Sequence, residues 1–258
     1  MKTIQKITLS LLAVVAASSW NTASASNLIM EVEGTDVATN SGVLTGTGQK
    51  TGTGTLIMSG ANGSSLTSLE IDAGLVQFAS TGNVGSQVTF AGGNLETTGA
   101  ADIPALVMNA DGTVTAGGAG ALAGLSGIYK LTVAGVGPVT PADLGASNTA
   151  MDISGVVYVG AKAGHILPNA AVNVLFGGIV ETQDDGRACA PGTNVVKNGA
   201  MLQVAPGLTV PAAGDANDLF SARDAALGIG GLKFESGSTL KLGNNSVWAR
   251  AITVGEFN

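Results

Sequence analysis

The sequence contains one cysteine and one histidine among 258 residues. A lone Cys189 excludes an intrachain disulfide framework and any CxxC metal or redox site. A lone His165 leaves little with which to hold zinc. Charged residues supply 11% of the chain and aromatics 4%, where the usual charged share is about 25%. The 11 basic residues are scattered singly against 18 acidic ones, so nucleic acid and anionic membrane surfaces are poor partners. Past the N-terminal segment, no apolar run approaches the ~18 residues of a membrane-spanning helix. What is abundant is glycine, at 39 residues, without the three-residue period of collagen. Hydrophobic residues still reach 45% and are mostly small or β-branched. Such a chain can bury a core, which argues against wholesale disorder.

The N-terminus has the features of an export signal. Lys2 and Lys6 precede the apolar run Ile7–Ala17, and Ala23-Ser24-Ala25 follows as a small–x–small cleavage site. The apolar run is too short to span a bilayer. Met1–Ala25 is therefore expected to be removed, leaving residues 26–258 as one domain. Loss of the two lysines takes the net charge from −7 to −9. No cysteine follows the apolar run, so no lipoprotein anchor is expected.

The body of the chain repeats a unit: apolar–x–apolar, a few residues with glycine, then apolar–x–apolar again. Strict copies begin at Leu69, Val88 and Leu106, looser ones at Leu131, Met151, Val172 and Val195, and a last one at Leu232. Successive steps are 19, 18, 25, 20, 21, 23 and 37 residues. Alternation of this kind marks half-buried strands, and glycine between two runs marks a turn or corner. Hairpins would give an antiparallel sandwich or barrel. Stacked coils would give a solenoid. The period of about 20 residues favours the solenoid. So does low charge, because like charges stacked on neighbouring strands repel. The predicted fold is all-β, a parallel β-helix. Within it Val88 and Phe90 point inward, and Gln87, Thr89 and Ala91 outward.

Two segments depart from the period. Gly137–Thr149 holds Pro138 and Pro141 and is predicted to leave the coil. The long step after Val195 holds Asp218–Leu227, a predicted short helix with Asn217 as its N-cap and Gly228 at its end.

Polar clusters are few. Asp184-Asp185-Gly186-Arg187 could supply the paired carboxylates of an inverting glycosidase, but Asp and Gly are also ordinary turn residues. Asp215, Asn217 and Asp218 could offer oxygens to calcium. Their spacing lacks the glycine and closing glutamate of an EF-hand, and helix capping accounts for them. Cys189 could pair with another chain or remain a thiol. His165 has no neighbouring nucleophile, and no G-x-S-x-G elbow is present. On these grounds no catalytic, metal or cofactor residue is assigned, and no enzymatic activity is expected. An outer-membrane barrel is disfavoured, because two Trp and two Tyr cannot build aromatic girdles.

The run Thr53-Gly54-Thr55-Leu56-Ile57-Met58-Ser59-Gly60-Ala61-Asn62 is followed by Leu69–Phe78 and by Gly85–Leu95. Together these resemble the passenger-associated repeat of bacterial autotransporters, over Thr53–Thr97. Glycine-punctuated strands from Leu106 onward are similar to other passenger regions, including rickettsial-type surface antigens. The resemblance implies a right-handed parallel β-helix exported to the bacterial surface, as an adhesin or a self-assembling surface component. Its partners would be a host surface ligand or further copies of the chain. Passengers of that family are followed by a translocator barrel. This chain reads Gly255-Glu256-Phe257-Asn258 soon after its last repeat copy, so no barrel is expected in it.

Overall fold

A computed structural model describes residues 4–9, 23–42, 44–59, 65–79, 84–159, 167–168, 170–182, 194–204, 209–210, 232–248 and 253–254. The architecture is an all-β solenoid of parallel strands, as the repeat predicts, and is consistent with a right-handed parallel β-helix. Among the described residues every paired strand runs parallel to its neighbour, and each coil contributes one strand to each of two large sheets. Sheet A has 12 strands and sheet B has 11. At the usual strand spacing, a 12-strand sheet extends about 50 Å along the axis.

In chain order, sheet A is built from Ile4–Leu9, Ala23–Val32, Leu44–Thr51, Ser65–Ile71, Gln87–Phe90, Ile103–Met108, Gly120–Gly127, Pro138–Pro141, Val156–Val159, Ile179–Thr182, Met201–Val204 and Thr239–Leu242. Sheet B begins at Val37–Asn40 and Thr55–Met58, continues through Leu75–Phe78, Asn94–Thr97, Gly112–Ala116, Leu131–Gly135 and Met151–Ile153, and ends with Val172–Val174, Asn194–Val196, Leu232–Phe234 and Thr253–Val254. A small third sheet pairs Thr209–Val210 with Val247–Trp248. Sheet A thus starts at Ile4, within the segment read as an export signal. The cleavage site Ala23–Ala25 lies on the second strand, opposite Leu44–Gly46.

The register explains the repeat. Leu69 faces Val88, and Val88 faces Leu106, so the three strict copies all begin on sheet A. Leu131, Met151 and Val172 face one another on sheet B. The 25-residue step from Leu106 to Leu131 is therefore one full coil, from Leu106 to its partner Leu125, plus the crossing from sheet A to sheet B, and not an insertion. Both strands of a coil carry the same alternation, and sequence alone cannot tell them apart.

Inward positions form columns along the axis. On sheet B, Leu56, Val76, Leu95, Val114, Val133 and Ile153 stack in register, and all are buried. On sheet A, Ile71, Phe90 and Met108 form another buried column. Each such side chain contributes about 1.5–3 kcal/mol by leaving water. The glycine corners close between sheets: Gly74 has φ +71°, and a Cβ there would lie 2.3 Å from the Gly54 carbonyl oxygen. Only glycine fits where corners of adjacent coils approach so closely.

The predicted excursion Gly137–Thr149 is corrected in its first part. Pro138–Pro141 is a strand of sheet A, paired with Gly120–Leu122 and Val156–Val157, and Val139 is buried. The prolines sit at its first and last positions, where a missing N–H costs least. Only residues 142–150 leave the two sheets there. After Val196 the coil lengthens as predicted, with Asn194 facing Leu232. The predicted helix Asp218–Leu227 lies outside the described residues, among which there is no helix.

Candidate functional site

The corners of the solenoid divide by edge and by half. Sheet A passes to sheet B through short corners at Thr51–Thr55, Ile71–Leu75, Phe90–Asn94, Met108–Gly112 and Gly127–Leu131. From Pro141 onward the same edge carries long crossings, from Pro141 to Met151, Val159 to Val172, Thr182 to Asn194 and Val204 to Leu232. The opposite edge stays short there, as at Ile153–Val156 and Val196–Met201. The anchor strands of these crossings are consecutive in both sheets. The topology therefore gathers four neighbouring crossings on one edge of the C-terminal half.

The residues singled out in the sequence belong to those crossings. His165 falls between Val159 and Val172. Asp184, Asp185, Arg187 and Cys189 fall between Thr182 and Asn194. Asp215, Asn217 and Asp218 fall between Val204 and Leu232. All lie outside the described residues, and only their anchor strands are placed. Among the described residues, no group of three or more His, Cys, Asp or Glu could hold a metal ion, and no helix is long and apolar enough to cross a membrane.

The first crossing is described. Leu144 is buried, the Thr149 hydroxyl donates to the Gly127 carbonyl at 2.8 Å, and the Thr149 N–H donates to Ser147 Oγ at 3.3 Å. The first bond holds the crossing against the strand Gly120–Gly127, and the second closes a turn within the crossing. Between them lies a groove of about 450 Å³, bordered by Leu125, Ser126, Asp143 and Asn148. Ile128 stands at its rim, 88% exposed.

Outside the sheets, carboxylates are matched across coils with amides or ammonium groups. Gln49 Nε2 donates to Asp72 Oδ2 at 2.8 Å, Asn173 Nδ2 to Asp152 Oδ1 at 2.8 Å, and Gln203 Nε2 to Glu181 Oε2 at 2.6 Å. Lys130 pairs with Asp152 and Lys197 with Glu235, each at 2.8 Å. The Asp152 carboxylate raises the Lys130 pKa by hydrogen bonding and then by charge. Side-chain oxygens also receive backbone N–H groups one coil on: Asn94 from Thr113, Asp102 from Ala121 and Asp111 from Lys130, all at 2.9 Å. Stacking of this kind permits an acidic chain to build a parallel solenoid without like-charge ladders.

Two features escaped the sequence reading. Lys50 points into the core, between its register partners Met30 and Ile71, and is fully buried. Its ammonium donates to the carbonyl oxygens of Thr51 and Ala73, each at 3.0 Å, and to that of Gly52. Burial lowers its pKa, while the charges of Glu33 and Asp72 oppose that shift. The signal was present: Leu44, Gly46, Gly48 and Lys50 alternate with polar residues, and continuing that alternation puts Lys50 inside.

The second feature is a groove on the outer face of sheet A. The ladder shifts register between Ala25 and Leu28 on one strand, and between Gly46 and Thr47 on the next. Two irregularities on neighbouring strands open a groove of about 460 Å³ beside Thr47, Gln49, Ser68, Glu70 and Thr89. Glu70 and Asp72 stand close together. Desolvation, then the hydrogen bond and charge of Asp72, raise the Glu70 pKa. Asp72 Oδ1 is buried with no hydrogen-bond partner among the described residues.

A search of protein-family models, of curated proteins and of solved structures finds no match to the chain.

Proposed function

We propose that this chain is an exported bacterial surface protein whose solenoid body presents one edge for adhesion or for assembly into a surface layer. The observation that carries the reading is the gathering of four consecutive long crossings on an edge whose earlier corners are short. A rigid stack of coils holds such crossings in a row, and loops held by a rigid scaffold are where binding residues concentrate. Support also comes from the signal-like N-terminus and from the likeness of Thr53–Thr97 to a passenger repeat. The paucity of histidine, cysteine and clustered charge favours a binding role over catalysis.

The test is deletion at the edge. Shortening the Val204–Leu232 crossing to a four-residue turn is expected to leave the far-ultraviolet circular dichroism of the solenoid in place. Adhesion of bacteria displaying the chain, or self-assembly of the purified protein, is expected to fall at least tenfold. Unchanged adhesion and assembly after each long crossing has been shortened in turn would remove the basis for the reading.

A further inference from the structure

We infer that the groove on sheet A is a binding site for a neutral, linear glycan lying along the solenoid axis. The site is distinct from the loop edge and does not depend on it. Its walls come from successive strands in strict register: Ile29 faces Gln49, Gln49 faces Glu70, and Glu70 faces Thr89. A second column sets Thr47 beside Ser68. At the usual strand spacing, the first column runs about 14 Å along the axis. The groove thus presents an amide, a carboxyl and a hydroxyl group on successive strands, at a spacing close to the length of one pyranose unit in an extended chain.

The chemistry of the lining selects among ligand classes. It contains no Lys or Arg, so phosphate, sulfate and nucleic acid gain no counter-charge. Polar and apolar surface contribute about equally to it, with Ile29 and Leu28 at one end, which suits a sugar, whose ring carbons lie between hydroxyls, and would leave the polar half unmatched by a lipid chain or an apolar peptide. Its hydroxyls and amide both donate and accept, and Glu70 accepts, which suits a ligand bearing hydroxyls that do the same. Gln49 is already held: its Nε2 donates to Asp72 at 2.8 Å. The amide oxygen and second N–H of Gln49 are thereby pre-positioned, which reduces the ordering cost of binding. Glu70 stands on the next strand, beside Asp72. The stacked register shifts supply the concavity, and bulges often mark functional places in sheets.

The experiment is isothermal titration calorimetry of the full chain against neutral hexasaccharides: cellohexaose, mannohexaose, maltohexaose and chitohexaose. An acidic oligogalacturonate of equal length is the charge control. At least one neutral chain is expected to bind, and the acidic one to bind at least tenfold more weakly. Gln49→Ala and Glu70→Ala are each expected to weaken binding about tenfold, the effect of losing one good hydrogen bond. Glu70→Gln is expected to retain most of it. Asn173→Ala, on sheet B, serves as the fold control and is expected to bind as the wild type does. Because Gln49→Ala frees the Asp72 carboxylate, circular dichroism of each variant accompanies the titration. No binding by any neutral chain at millimolar concentration would overturn the inference, as would tight binding that survives Gln49→Ala and Glu70→Ala together in a folded protein. Preference for the acidic chain would also overturn it.

Discussion

The Phe90 ring lies against Gly112, the first residue of its sheet B strand, and their fit can be tested as a pair. Phe90 is fully buried in the column between Ile71 and Met108. A Cβ on Gly112 would lie 2.6 Å from Phe90 Cδ1 and 2.9 Å from Cγ. The aromatic ring thus occupies the space that any other residue at 112 would need. Gly112→Ala should overpack the core at a cost of about 1–3 kcal/mol. Phe90→Ala should leave a cavity and cost about 3–5 kcal/mol. If the ring is the obstacle, the double variant fits its new methyl into the vacated space. Its loss should then be smaller than the sum of the two single losses by about 0.5–3 kcal/mol. Chemical denaturation followed by circular dichroism measures all three variants. Gln87→Asp is the control on the same strand: exposed, and facing Ser68 and Ala105, it should cost under about 0.5 kcal/mol. Losses that add to within about 0.5 kcal/mol would show that Phe90 and Gly112 do not oppose each other, and the packing of these coils would have to be redrawn.

Other outcomes follow from the same geometry. Lys50→Met should cost about 1–3 kcal/mol, because the corner carbonyls of Thr51, Gly52 and Ala73 lose their donor; a denaturation midpoint equal to wild type would show that the ammonium is not needed there. Glu70 titrates higher in the folded chain than unfolded, so the folded state binds the extra proton. Stability should therefore fall as pH rises from the ordinary carboxylate value through the raised folded value, and Glu70→Gln should flatten that part of a melting-temperature profile. Lys50, with its lowered folded pKa, should add stability as pH rises through that value toward the ordinary lysine range, and Lys50→Met should abolish that slope. Phe90→Asp should unfold its own coil and weaken its neighbours, since solenoid stability rests on nearest-neighbour interfaces; equal damage from Gln87→Asp would contradict the register.

The fold was legible because its signal is repeated. Alternation around Leu69, Val88 and Leu106 placed the inward residues, and the structure buries all three, with Phe90 beside them. Thr89 faces outward as predicted, yet it is half-buried and stands opposite Glu70. An Asp there would meet a like charge, so it costs more than simple exposure suggests. The phase of the repeat was not legible, because strands of sheets A and B carry the same pattern. Pro138 and Pro141 read as loop residues, since proline lacks the donor of a ladder, yet strand ends tolerate it. The groove at Gln49 and Glu70 was hidden for a different reason. It depends on two register shifts that leave no mark in composition, and on side chains about 20 residues apart that only stacking brings together. The candidates that sequence did offer, His165, Cys189 and the aspartates near 184 and 215, drew notice as rare or clustered residues. What they share is the edge to which topology assigns their crossings.

Surface display of the solenoid is the claim on which the functional account turns. Flow cytometry of intact cells that make the chain, stained with an antibody raised against the purified solenoid, measures it directly. The account predicts labelling of unpermeabilised cells, with no further gain on permeabilisation. Labelling confined to permeabilised cells would place the chain inside the envelope and contradict the proposed role.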